Sequence, residues 1–182
     1  MQPRHTINFC RVCGHAVEHR IPDDGDSRIR AVCPACHSIQ YLNPLNVVGT
    51  IPVWEGKVLL CKRNIEPRMG KWTLPAGFME LDETTTQGAA RETDEEAGVQ
   101  IDMGALFSII SLPRVGQVHL FYRADMRSPD MHPGPETQEA RLFAEADIPW
   151  SELAFRTTQI TLERFFSDRQ RGHYGLHDLS IE

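Results

Sequence analysis

Three glutamates, Glu92, Glu95 and Glu96, stand at i, i+3 and i+4, and four cysteines stand as Cys10-x-x-Cys13 and Cys33-x-x-Cys36. On a helix the first spacing brings three carboxylates to one side. Crowded carboxylates repel one another unless a cation compensates. Hard divalent ions, magnesium above all, prefer such oxygen donors. A solvated acidic helix face is the plain alternative, and spacing alone leaves both open. The cysteines are more specific. Two CxxC pairs with 19 residues between them can each set two thiolates in a tight turn, and two facing turns complete a tetrahedron of sulfur around zinc. Gly14 and Pro34 suit those turns. Disulfides need an oxidising compartment. A redox CxxC sits between a strand and a helix, for which this short polar segment has no room. Four thiolates leave no open coordination position, so the zinc is expected to be structural and coupled to folding. His5, His15, His19 and His37 lie nearby and read as surface residues. Cys61, in Val58-Leu59-Leu60-Cys61, reads as a buried strand residue without chemistry.

The chain that must position these groups has 182 residues, 41% hydrophobic and 24% charged, with a formal net charge of -6. That composition excludes a disordered tail, a collagen and a coiled coil. No stretch approaches the roughly 18 apolar residues of a membrane span. The acidic balance argues against a nucleic-acid binder. The N-terminal residues lack a secretory pattern, so a cytoplasmic protein is expected.

The element order follows from pattern. Residues 46–54 and 57–63 read as a hairpin turning at Glu55-Gly56. Residues 71–75 are extended, and Ala76 to Glu80 turn toward a helix. Thr84 and Gln87 form a capping box for that helix, which runs to Ala97 and ends on Gly98. Ala89, Thr93 and Ala97 give it a small face for packing on a sheet, and the glutamates are expected on the opposite side. Residues 104–112 and 117–125 are strands. Residues 126–138 form a loop rich in proline, and loops of that length carry function. Residues 139–143 are a strand, and 154–169 a final amphipathic helix. The fold class is therefore α/β, a mixed sheet with helices on both faces. The expected domains are a zinc ribbon over 1–44 and an α/β domain over 45–182.

Gly77, Glu83 and Arg91-Glu92-Thr93-Asp94-Glu95-Glu96-Ala97-Gly98-Val99 resemble the signature box of the Nudix hydrolases, with fixed spacing over 23 residues. Thr93 departs, since the family has an aliphatic residue there. The resemblance implies a Nudix-type α/β/α sandwich and an enzyme that hydrolyses a nucleoside diphosphate linked to another group, X. It implies that Glu92, Glu95 and Glu96 hold magnesium or manganese and that Glu83 pairs with Arg91. Metal ions would neutralise phosphate oxygens and activate a water. Gly77 would permit an unusual backbone angle or a close phosphate approach. The general base is a helix glutamate in some relatives and a loop glutamate in others. Here Glu136, six residues before Leu142, is preferred over Glu139.

The identity of X rests on wider likeness. A zinc ribbon before the box is a feature of NADH pyrophosphatases, but their proline-rich signature is absent from Ile109 to Gln117. Residues 71–78, 112–117, 133–136, 153–155 and 172–175 look similar to plant chloroplast enzymes that split FAD and ADP-ribose, without a transit peptide here. FAD or ADP-ribose is thus the expected substrate. Arg63, Arg68, Lys71 and Arg114 are candidates to meet phosphates, and Phe9, Tyr41, Trp54, Phe78, Phe107 and Tyr122 to stack on a ring. His173 and Tyr174 hint that the tail closes a pocket. The alternatives are an NADH pyrophosphatase, a housecleaning triphosphate pyrophosphatase, a nucleotide-binding module and a nucleic-acid adaptor built on the ribbon's arginines. A homodimer is implied by the family alone.

Overall fold

The computed structural model describes residues 6–182, so His5 lies outside the described residues. The chain divides into two compact units between Pro44 and Leu45. The first unit is a three-stranded antiparallel sheet of β1 (Glu18–Arg20), β2 (Arg30–Val32) and β3 (Ile39–Gln40). Only a few small side chains are buried in it, among them Cys10, Ala31, Val32 and Cys33. A core so small needs a covalent or metal staple.

The second unit is ordered by period-2 alternation along its strands. In chain order it contains β4 (Leu45–Trp54), β5 (Lys57–Arg63), β6 (Trp72–Thr73), β7 (Ala76–Phe78), α1 (Thr85–Ala97), β8 (Ile101–Leu112), β9 (Gln117–Met126), β10 (Thr137–Phe143), α2 (Arg156–Arg171) and β11 (His177–Ser180). The sheet runs β10-β5-β4-β9-β8-β11, with β6 on β5 and β7 on β4. The β4–β9 and β8–β11 pairs are parallel and the others antiparallel, so the sheet is mixed, as expected. Val58 and Leu60 of β5 join Ile51, Phe107 and Phe121 under Leu162, Phe165 and Phe166 of α2. Leu59 and Cys61, the alternate residues, face the other way and pack with Ala97 of α1. Each such large side chain contributes roughly 1.5–3 kcal/mol by leaving water. No helix among the described residues is long and apolar enough to cross a membrane.

Three expectations need correction. Residues 76–78 do not turn toward the helix. They form β7 against Val47 to Gly49 of β4. A strand also follows α2, since β11 adds to the sheet edge in parallel with β8. It is tied down by Asp168, which is buried and accepts from the Gly175 amide (3.0 Å) and from His177 Nε2 (2.8 Å). Finally, Phe107 and Tyr122 are core residues, so neither is available to stack on a substrate.

Among the described residues, one buried side-chain polar atom lacks a hydrogen-bond partner, Nδ1 of His119 on β9. Its Nε2 meets Gln117 Oε1 at 3.0 Å. Burial pulls the imidazole down from 6.5 to about 4, because protonation would place a second N–H where nothing accepts it. The unfolded chain therefore takes up the proton first. The contribution of this group is full above about pH 6.5 and is lost as pH falls toward 4. Urea titrations of wild type and His119→Gln over that range should show a steeper loss of stability in the wild type. Parallel curves would contradict this.

Candidate functional site

The site is built where α1 meets β7. Thr84 caps the helix with its hydroxyl on the Gln87 amide, and Gln87 returns the bond to the Thr84 amide. Gly98 ends it in the left-handed conformation, φ 62°. The loop before β10 seals that end. The His132 amide donates to the Ala97 carbonyl (2.8 Å), and a Cβ at Gly134 would strike the Glu95 carbonyl. The cap of α1 and the loop carrying Glu136 are thus one assembly.

Arg91 organises the acidic cluster. Its Nε and Nη2 form a fork on Glu83 (3.0 and 2.9 Å), and Nη2 also donates to the Phe78 carbonyl (3.2 Å). Nη1 donates to Glu92 (2.8 Å) and Glu95 (3.1 Å). All five guanidinium donors are used. The Glu83 carboxylate also accepts from the Glu80 amide (2.7 Å). The Arg91 fork, with that amide, holds it down at about 2.

Glu96 differs from the expectation. It does not project away from the small face of α1. It is 8% exposed beside Ala89, Thr93 and Ala97 and accepts from the Ala76 amide at 3.2 Å. Burial pushes its carboxyl up to about 8, with Glu92 and Glu136 adding and Arg63 opposing. Glu92 is also raised, first by burial. Glu95 stays exposed. Gly77 keeps an ordinary extended backbone. Its missing side chain makes room for the Glu92 carboxylate, into which a Cβ would run. The close approach is thus to a protein carboxylate.

Of the proposed phosphate-binding cations, Arg63 lies near the cluster. Its Nε donates to the Pro67 carbonyl (2.9 Å), and its guanidinium covers the Phe155 ring at 5.1 Å. Arg68 and Lys71 are in the adjoining loop, joined through backbone (3.1 Å). Arg114 is exposed in the β8–β9 turn. No ion pair among the described residues joins these last three to the glutamates. Glu136 acts electrostatically on Glu92 and Glu96. Glu139 is exposed within β10, opposite Lys62 of β5. Phe78 is 53% exposed on β7, beside the cluster. Phe9 and Tyr41 are exposed in the first unit.

Thr93, the departure from the box, is explained by Thr50. The two hydroxyls are buried and 2.6 Å apart, and Thr93 donates to the Ala89 carbonyl (2.7 Å). Thr93 has one proton, so Thr50 donates to Thr93. Restoring an aliphatic residue with Thr93→Val strands the Thr50 hydroxyl in the core and should cost about 1–3 kcal/mol. Removing both hydroxyls with Thr50→Val/Thr93→Val should recover most of that loss in urea unfolding. A double variant weaker than Thr93→Val would refute the pairing.

In the first unit the four sulfurs converge within 4.8 Å of one another, with Cys10–Cys36 at 3.6 Å and Cys13–Cys33 at 3.5 Å. A zinc–sulfur bond of about 2.3 Å in a tetrahedron gives sulfur separations of about 3.8 Å, so the set fits zinc. All four are free thiols. Sequence reading missed Ser38, whose hydroxyl meets Cys10 (3.0 Å) and Cys36 (3.2 Å). That contact is the main reason the Cys10 thiol falls to about 6. His15, His19 and His37 are exposed, as expected.

A NUDIX domain model matches residues 44–163. The chain belongs to the Nudix family. The model of the zinc ribbon found N-terminal to Nudix domains matches residues 8–42. The crystal structure of a NUDIX hydrolase from Nitrosomonas europaea superposes with a TM-score of 0.90 at 48% identity, covering 96% of this chain and all of that one. The NAD-capped RNA hydrolase NudC of Photobacterium profundum is 31% identical over 78% of this chain. This chain spans about half of that relative's length, 51%. The ADP-ribose pyrophosphatase of Methanocaldococcus jannaschii is 31% identical over 63% of this chain and 69% of its own. These Nudix relatives are bacterial and archaeal, and the narrower likeness to plant chloroplast enzymes gains no support from them.

Proposed function

We propose that this Nudix domain hydrolyses the pyrophosphate of a nucleoside diphosphate linked to X, with ADP-ribose or FAD as substrate. The observation that carries this reading is the Arg91-centred cluster, in which buried Glu96, half-buried Glu92 and loop Glu136 lie within electrostatic reach of one another. Burial holds the carboxyls of Glu92 and Glu96 above their ordinary range, and the glutamates together form a hard-oxygen set that fits magnesium or manganese. Glu92, Glu95 and Glu96 would hold the ion, which when bound neutralises phosphate charge and acidifies a water.

The chain's own groups do the rest. Arg91 fixes Glu92 and Glu95 to β7 and Glu83, and the Ala76 amide holds Glu96. Arg63 offers a cation to a phosphate oxygen. Glu136 takes the proton of the attacking water. That water's oxygen bonds to phosphorus as the bridging P–O bond breaks. ADP-ribose then gives AMP and ribose 5-phosphate, and FAD gives AMP and FMN. The archaeal relative's name supports ADP-ribose, and the NudC name supports NAD-type substrates as a second reading. A capped RNA is disfavoured by the ribbon, where Arg20 and Arg30 are spent on Asp23 and Asp26. Four free thiols suit a reducing compartment, which supports the cytoplasm. We also propose a homodimer, to be read by light scattering.

The test is chromatographic product analysis with magnesium, then manganese, on FAD, ADP-ribose, NADH and nucleoside triphosphates. AMP from FAD or ADP-ribose as the fastest product supports the reading. Pyrophosphate released fastest from a triphosphate overturns the substrate assignment. Binding without turnover of any of them favours a nucleotide-binding module.

A further inference from the structure

A cavity of about 280 Å³ lies on the α2 face of the sheet, across from the face that carries α1. Phe165 and Arg169 of α2, Arg123 and Asp125 of β9, Val53 of β4 and Tyr174 line it. Three observations give it chemical character. First, Arg123 is half-buried, yet among the described residues its guanidinium has no hydrogen-bond or ion-pair partner. The Tyr174 ring centre lies 4.2 Å from its guanidinium carbon. Second, Tyr174 stacks on Phe165 with centroids 5.4 Å apart and planes at 28°. Tyr174 is therefore covered by the guanidinium and by Phe165, and what it offers a ligand beside Arg123 is its ring edge. Third, the other charges are accounted for. Arg169 donates to the Gly56 carbonyl (2.6 Å) and Glu145 (3.0 Å), and Asp125 is exposed at the rim.

We propose that this cavity is a second ligand site, for a small planar molecule bearing a single carboxylate. A carboxylate uses the idle guanidinium fork in two parallel hydrogen bonds, and a ring beside it packs on the Tyr174 edge in the edge-to-face arrangement aromatic pairs favour. The charge count selects the class. Arg169 is neutralised by Glu145, which leaves Arg123 as the unpaired cation for a single carboxylate, and exposed Asp125 at the rim disfavours a polyphosphate. The volume agrees, since it falls just below the range of about 300–1,000 Å³ for drug-sized ligands. The cavity is too small for the dinucleotides of the proposed reaction. This site does not rest on the hydrolase reading.

The test titrates ¹⁵N-labelled full-length protein with benzoate and maps amide shifts. Benzamide, phenyl phosphate and ATP serve as controls. Saturable shifts are expected at residues 123–125, 174 and 56. Arg123→Ala should weaken benzoate about 10- to 100-fold. Val53→Phe, which fills the cavity and leaves the guanidinium alone, should abolish the shifts. Glu96→Gln should bind as wild type. Both cavity variants must keep the dispersed spectrum of the folded domain. Benzamide binding as tightly as benzoate, tighter binding of phenyl phosphate or ATP, shifts centred on β7 and α1, or no saturable shift in wild type would each overturn the assignment.

Discussion

Glu96→Gln should reduce kcat/KM on the preferred nucleoside diphosphate-X substrate by about 10²–10³-fold while the fold is kept or even stabilised. The size follows from the several kcal/mol that a bound metal contributes to transition-state charge, at about 1.4 kcal/mol per factor of ten. The sign of the stability change follows from the surroundings. Glu96 is 8% exposed, and burial makes its charge costly. The amide keeps the acceptor oxygen that the Ala76 N–H requires and cannot ionise beside Glu92 and Glu136. Lost activity with equal or higher urea resistance would mean that the carboxylate is maintained for chemistry at a cost to the fold. Lost activity with lost stability would instead assign Glu96 a packing role. Full activity would remove it from the site.

How much of this was legible in the sequence varies by residue. Helix α1 was plain because both its ends are local, with a reciprocal Thr84–Gln87 cap and a left-handed Gly98. The burial of Glu96 was also latent in the helical period. Seven residues advance a helix by two turns less about 20°, so Glu96 lies almost in line with Ala89 and belongs to the packed edge. Grouping the three glutamates by spacing hid that. β7 was missed because Ala-Gly-Phe has turn composition, and its strand conformation comes from pairing with residues of β4 some 30 positions earlier. β11 was missed for a similar reason. His-Asp-Leu-Ser carries no strand pattern, and a buried Asp168 on α2 places it. Idle Arg123 is a tertiary fact throughout, since sequence cannot show which arginines find partners. The box resemblance supplied Glu83 and Arg91 as a pair, and the fork geometry explains why those two types are needed.

Zinc removal should have the largest structural effect, and it should be confined to one unit. Stripping the metal with a chelator, or making Cys33→Ser, should abolish amide-exchange protection across residues 8–42 and leave the strands of residues 45–182 protected. The reason is an imbalance of scale. The ribbon buries few side chains larger than valine, whereas zinc bound to four thiolates supplies roughly 10–16 kcal/mol to a small domain. The principal apolar clusters all lie beyond residue 45, so that unit has its own reason to stay folded. Ser38 should modulate the effect. Its hydroxyl favours the thiolate of Cys10, so Ser38→Ala should lose zinc to a competing chelator faster than wild type and at a higher pH. One zinc per chain by elemental analysis is the companion expectation. A ribbon that keeps its protection without metal would show that hydrogen bonds and small apolar contacts suffice, and the zinc assignment would fall. Loss of protection beyond residue 45 would show that the two units fold as one, and that the ribbon contributes to the stability of the catalytic domain.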